Sequence, residues 1–109
     1  MTASTTLFAE LAAAARPFVM RAERTPHAAL PDLVFSLPAD GQDVARLRFF
    51  EPEGAPPYLR TVIPHDISPE EQLAVERHLE AHVTPVIRRR FSYPAWLGLA
   101  DSPTPPEAN

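Results

Sequence analysis

Arginine and aromatic side chains alternate along two predicted strands in the middle of this sequence. The residues with this alternation are Arg46, Arg48, Phe50, Tyr58 and Arg60. Successive side chains of a strand point to opposite sides of a sheet, so these five are predicted to share one face. Guanidinium groups bind carboxylates and phosphates, and aromatic rings give apolar contacts to a partner. We therefore take these five residues as the candidate binding site.

Two of the arginines, Arg48 and Arg60, are expected to lie close together on neighbouring antiparallel strands. Like charges placed directly across such a pair cost roughly a few tenths of a kcal/mol unless an anion lies between them. That anion could be a carboxylate of a partner chain, a phosphate, or a nearby side chain such as Asp43 or Glu51. The pair therefore predicts a binding function, although a solvated face with arginine stems covering apolar neighbours remains the simpler explanation.

The apolar residues expected on the same face favour self-association. These residues are Val34, Val44, Phe50 and Val62. A two-fold dimer through the face would bring Arg46 or Arg48 of one copy to Glu51 or Glu53 of the other. The alternative is single-stranded nucleic acid, which stacks its bases on aromatic rings and places its phosphates on arginines. The acidic net charge of the chain favours the protein partner.

Two histidines, His78 and His82, are four residues apart on a predicted helix, so both could reach one metal ion. Glu80 lies one position later than the base of the His-Glu-x-x-His pattern of zinc hydrolases. No sequence motif indicates a third ligand, and choosing Glu71 for that role would be a guess. A metal-dependent hydrolase is therefore the third candidate, behind a solvated helix face.

The elements that must position these residues follow from hydrophobic periodicity. Apolar residues from Leu7 to Ala22 recur with helical spacing, and Pro17 is expected to kink or split that helix. Three short strands are predicted over 33–37, 44–50 and 58–63. We expect an α+β fold of order α-β-β-β-α, a three-stranded antiparallel meander with both helices packed on one face.

The register of the first hairpin depends on the turn at Pro38-Ala39-Asp40-Gly41. A two-residue turn would place Phe35 opposite Arg46 and mix charged with apolar residues on one face. A three-residue loop with Gly41 in the left-handed conformation instead places Phe35 opposite Ala45 and Leu33 opposite Leu47. We adopt the three-residue loop because it collects the apolar residues. They are Leu33, Phe35, Leu47, Phe49 and Ile63.

The second helix has the clearest local signals. Ser68 is a predicted N-cap, Pro69 the first helical residue and Glu71 the reciprocal member of a capping box. Pro85 is expected to bend this helix. Trp96 beyond it is expected to fold back onto the core, since an exposed tryptophan is unusual. Residues 4–99 are predicted to form one domain, and residues 100–109 a flexible proline-rich tail.

Composition excludes several functional classes. The 109 residues include no cysteine and three glycines, with a net charge of −4, so thiolate sites and glycine-rich phosphate cradles are excluded. No segment approaches the about 18 apolar residues of a membrane span, and the N-terminus lacks the basic region of a signal peptide. We expect a cytoplasmic, non-enzymatic protein that needs no cofactor and binds no membrane. The lysine-free, alanine- and arginine-rich usage suggests a bacterial source.

Overall fold

The computed structural model describes residues 3–26, 29–56 and 58–101 as an α+β fold with a four-stranded antiparallel sheet. The strands are β1 (Val19–Glu23), β2 (Asp32–Ser36), β3 (Asp43–Phe50) and β4 (Tyr58–Val62), and their order in the sheet is β1-β2-β3-β4. The helical segments are α1 (Ala3–Ala15), α2 (Pro69–His78), a π turn (Leu79–Val83), α3 (Thr84–Arg90), α4 (Tyr93–Leu97) and a 3-10 turn (Gly98–Asp101). No helix within the described ranges is long and apolar enough to cross a membrane.

Strand β1 corrects the expected order of elements. The first helix does not continue to Ala22 but ends at Ala15, and the chain turns through Pro17 into β1. Proline has no amide hydrogen and disfavours helical geometry in the residue before it, so the helix stops there. Met20 on β1 is 2% exposed and pairs with Phe35 of β2. The apolar residues after Pro17 therefore serve a strand, and the meander has four strands rather than three.

The β2–β3 hairpin has the predicted register but reaches it by a different route. Phe35 lies opposite Ala45, and Leu33 opposite Leu47. The loop has four residues, closed by the Leu37 amide donating to Gln42 at 2.8 Å, and Gly41 has the predicted left-handed φ of 75°. A register shift after Phe35 supplies the remaining residue as a bulge at Val44.

The bulge also corrects the predicted position of Val44. Its side chain is 0% exposed and belongs to the hydrophobic core rather than to the opposite face of the sheet. A bulge places two successive residues of one strand against a single partner residue, so Val44 and Ala45 can both reach the core.

The core fills the space between the helical segments and the sheet face that carries Leu33, Phe35 and Leu47. Trp96 folds back into it as expected, is 0% exposed, and donates from Nε1 to the carbonyl oxygen of Pro31 at 3.0 Å. The apolar stripe of the α2–α3 segment is also buried. It consists of Val75, Leu79, Val83, Val86 and Ile87. Residues 102–109 of the expected tail lie outside the described residues.

The α2–α3 segment begins with the predicted cap and passes Pro85 through the π turn. The amide of Glu71 donates to Oγ of Ser68 at 3.2 Å. Near Pro85 the amide of Thr84 donates to the carbonyl of Leu79, five residues back. Proline cannot donate a helical hydrogen bond and its ring crowds the preceding turn, and the wider π turn accommodates both constraints. The helix therefore continues past Pro85 instead of breaking.

Candidate functional site

The sheet face turned away from the core, the outer face, carries all five candidate residues. Strand register places Arg48 directly opposite Arg60, which agrees with the predicted proximity of the two arginines, and it places Phe50 opposite Tyr58. Strand β1, which the sequence analysis missed, adds Arg21 to this face because it pairs with Val34. The outer face comprises Val19, Arg21, Glu23, Asp32, Val34, Ser36, Asp43, Arg46, Arg48, Phe50, Tyr58, Arg60 and Val62.

Asp32 is a fully buried carboxylate on the outer face, and its β2 neighbours on that face, Val34 and Ser36, are buried as well, so Val34 is not open to a partner as expected. Its Oδ2 accepts a hydrogen bond from Nη1 of Arg46 at 2.8 Å and one from Nη2 of Arg48 at 2.9 Å. Nε of Arg48 donates to both carboxylate oxygens at 3.2 Å. Buried carboxylates need paired and hydrogen-bonded partners, and the two guanidinium groups supply them. Asp32 therefore draws both arginines across the sheet.

A second set of ion pairs extends this arrangement to β1. Arg21 donates from Nη1 and Nη2 to the two carboxylate oxygens of Asp43, each at 3.1 Å, and also to Oγ of Ser36 at 3.0 Å. The hydrogen bond from Arg21 lowers the pKa of the Asp43 carboxyl, and the same bond raises the pKa of Arg21. Nη2 of Arg46 lies 2.9 Å from Oε1 of Glu23. We call these six charged residues the ion-pair cluster: Arg21, Glu23, Asp32, Asp43, Arg46 and Arg48.

The anion that the sequence analysis required near Arg48 is a carboxylate of the same chain. Arg48 faces Asp32, rather than Asp43, Glu51 or a partner. The sequence analysis gave Asp32 no role because the first predicted strand begins at Leu33, one residue after it. The signal was nevertheless present, since extending the outward alternation of Val34 back by two residues places Asp32 on the arginine face.

Beyond the cluster, the end of the outer face near β4 is apolar and exposed. The rings of Phe50 and Tyr58 stack with centroids 5.3 Å apart at an angle of 18°. Tyr58 is 48% exposed and Val62 is 40% exposed. Arg60 between them is exposed and has no ion pair within the described residues. We call Phe50, Tyr58, Arg60 and Val62 the β4 patch.

The two histidines of the second helix come together at the π turn. Their ring centroids are 4.6 Å apart, and Phe18 meets the ring of His78 edge-on at 5.3 Å. Nε2 of His78 is buried without a hydrogen-bond partner. No group of three or more potential metal ligands converges within residues 3–26, 29–56 and 58–101. The structure therefore brings the expected pair together, and none of the described residues adds a third ligand to it.

Two of the three arginines at the end of α3 form ion pairs within the chain. Arg89 and Arg90 both form ion pairs with Glu10 of α1, with Nη2 of Arg89 3.0 Å from the carboxylate. These contacts tie the last turn of α3 to α1. Arg60 of the β4 patch, by contrast, has no ion pair within the described residues.

No protein-family model, curated protein or solved structure matches this chain. The geometry of the outer face is consequently the basis for assigning a function. It combines a charged region whose members are paired to one another with an apolar region that has an uncovered cation at its centre.

Proposed function

We propose that this protein is a non-enzymatic, cytoplasmic interaction protein that forms a two-fold homodimer through its outer face. The observation that carries the proposal is the exposed β4 patch beside a charged cluster that is already paired. Exposed apolar side chains grouped on one sheet face, here Tyr58 and Val62, are typical of a protein-binding surface. Of the five candidate residues, the proposed contact therefore uses Phe50, Tyr58 and Arg60.

The charges of the outer face are compatible with a second copy of itself. The ion-pair cluster contains three arginines and three carboxylates, so it carries no net charge. Two such clusters facing each other do not repel strongly, and their side chains are already oriented. Only Arg60 leaves an excess positive charge. A two-fold contact can therefore bury the apolar residues with one charge per copy left to be matched.

The size of the face predicts a weak dimer. Strand spacing near 4.8 Å and a rise near 3.3 Å per residue give roughly 300 Å² for four strands of five residues. Stable interfaces bury about 800 Å² per partner. The sheet face alone falls short of this area, so neighbouring loops must contribute. We expect a dissociation constant in the micromolar range, on the order of 1–100 μM.

The test is sedimentation velocity over a wide concentration range, with paired variants. Tyr58→Ser/Val62→Ser should shift the equilibrium to monomer at concentrations where the native chain is dimeric. Leu73→Ser/Tyr93→Ser is the matched control, since Leu73 is 48% exposed and Tyr93 46% exposed but neither lies on the sheet. Equal behaviour of the two double variants, or a native chain that stays monomeric throughout, would contradict the proposal.

Single-stranded nucleic acid is the second candidate for the same face. The stacked rings of Phe50 and Tyr58 beside the unpaired Arg60 favour it, because bases stack on aromatic side chains. Pairing of Arg46 and Arg48 with Asp32 leaves few cations for phosphates. Fluorescence anisotropy with a labelled oligothymidylate tests this candidate. With one phosphate contact at Arg60, the logarithm of the affinity should fall with a slope of only about −0.7 against the logarithm of salt concentration.

A further inference from the structure

The β4 patch contains a cation without a partner, and the adjoining loop contains anions without partners. Arg60 is exposed, as are Glu51 and Glu53 in the β3–β4 loop. None of these three side chains forms an ion pair within the described chain. We infer that Arg60 of one copy binds the loop carboxylates of Glu51 and Glu53 in a second copy. This inference rests on the proposed dimer and names the contact that orients it.

The position of the β3–β4 loop allows its carboxylates to reach Arg60 of a second copy. The loop connects Phe50 to Tyr58, so its carboxylates lie at one end of the patch, and Arg60 lies two residues further along β4. Gly54, with a left-handed φ of 74°, turns the chain there. A two-fold axis that lies in the interface and runs perpendicular to β4 would place the loop of each copy over the Arg60 end of the other.

Symmetry doubles the contact. In a two-fold interface, a residue that meets a second residue across the axis is met by that same residue in return. One dimer therefore contains two identical contacts between Arg60 and the loop, which match the one excess charge of each outer face. Residues 51–56 are all exposed, so covering them also supplies contact area that the sheet face lacks.

The other arginines of the outer face are poorer choices for this role. The sequence pattern suggested Arg46 or Arg48 as partners of the loop glutamates in a mate. Arg46 is bound to Asp32 and Glu23, and Arg48 to Asp32. Drawing either arginine to a second copy would leave the buried carboxylate of Asp32 without one of its partners, which is costly. Arg60 has no ion pair within the described residues that a contact with a second copy would break.

Charge reversal tests the contact without relying on loss of function alone. Arg60→Glu should weaken the dimer at least about tenfold, because two attractive contacts become repulsive. Glu51→Arg/Glu53→Arg should weaken it similarly for the same reason. An equimolar mixture of the two variants should dimerise within about threefold of the native chain, since opposite charges then meet at both contacts. Arg77→Glu on α2, with the same change of net charge as Arg60→Glu, should leave the dimer unaffected.

The outcomes separate this inference from the proposed function. Failure of the mixture to recover, or native dimerisation of either variant alone, overturns the contact. If in that case Tyr58→Ser/Val62→Ser still dissociates the dimer, the outer face remains the interface and only the partner of Arg60 is wrong. A native chain that is monomeric at all concentrations overturns the contact and the proposed function together.

Discussion

Replacing Asp32 by asparagine removes one negative charge from the centre of the ion-pair cluster while preserving the shape of the side chain. The carboxylate is fully buried and accepts hydrogen bonds from Arg46 and Arg48. An asparagine amide nitrogen is a donor, so it would face guanidinium donors where an acceptor oxygen now lies. We expect Asp32→Asn to remain folded but to be substantially less stable.

The magnitude follows from the exposure of the partners. Removing one partner of a buried ion pair costs about 3–5 kcal/mol when the other charge remains buried. Here the side chains of Arg46 and Arg48 keep exposures of 26% and 36%, so water can solvate them in part. We therefore expect a loss of about 2–4 kcal/mol in the free energy of unfolding. At roughly 4 °C per kcal/mol for a domain of this size, the melting temperature should fall by about 8–16 °C.

Urea denaturation followed by circular dichroism measures this loss, with Asp43→Asn as the control. The Asp43 and Arg21 side chains are 43% and 41% exposed, so that pair should contribute less than about 1 kcal/mol. The two substitutions remove the same charge from the same face and differ mainly in burial. A loss below about 1 kcal/mol for Asp32→Asn, or equal losses for the two variants, would refute the view that the buried carboxylate holds the arginines.

Two further changes test the cluster and the core. Because the hydrogen bond from Arg21 lowers the pKa of folded Asp43, that pair stabilises the fold above the unfolded pKa of about 3.9 and loses its effect as pH falls through the lower folded pKa. The difference in urea midpoint between the native chain and Asp43→Asn should accordingly shrink at acid pH, and a constant difference would contradict this. Trp96→Phe should cost about 2–3 kcal/mol by circular dichroism, because it leaves a cavity beside Phe49 and an unpaired carbonyl at Pro31. A loss under about 1 kcal/mol would show that the indole hydrogen bond and packing matter little.

Local signals predicted the parts of the fold that depend on neighbouring residues. Ser68 and Pro69 mark the start of α2 because capping is decided within one turn, and the structure confirms that start. The outward direction of Arg48 and Arg60 likewise followed from strand alternation. Strand β1 was missed because Phe18, Val19 and Ala22 continue the helical spacing of the residues before Pro17. Pairing with β2, which is not visible in the local sequence, decides between the helical and the strand repeat.

The role of Asp32 shows where sequence reasoning stops. A carboxylate after proline is typical of a loop or a helix cap, and nothing local indicates that it will be buried. Its burial results from two arginines on β3 and from pairing in register with that strand. The sequence therefore placed Arg46 and Arg48 on the outer face, but the anion considered for them was a partner's carboxylate, a phosphate, Asp43 or Glu51 rather than Asp32. Because Asp32 binds Arg46 and Arg48, the candidate residues left for a partner are those of the β4 patch.

The position of β4 decides how that patch can be used. It is an edge strand of the sheet, and an uncovered edge could pair with a strand of another chain. Prolines and charged side chains hinder such pairing, and β4 is bordered by Pro56 and Pro64 and carries Arg60 at its centre. The same strand turns Tyr58 and Val62 to the outer face, where prolines do not obstruct contact. Association through the face, with Arg60 matched by a carboxylate, therefore fits β4 better than extension of the sheet.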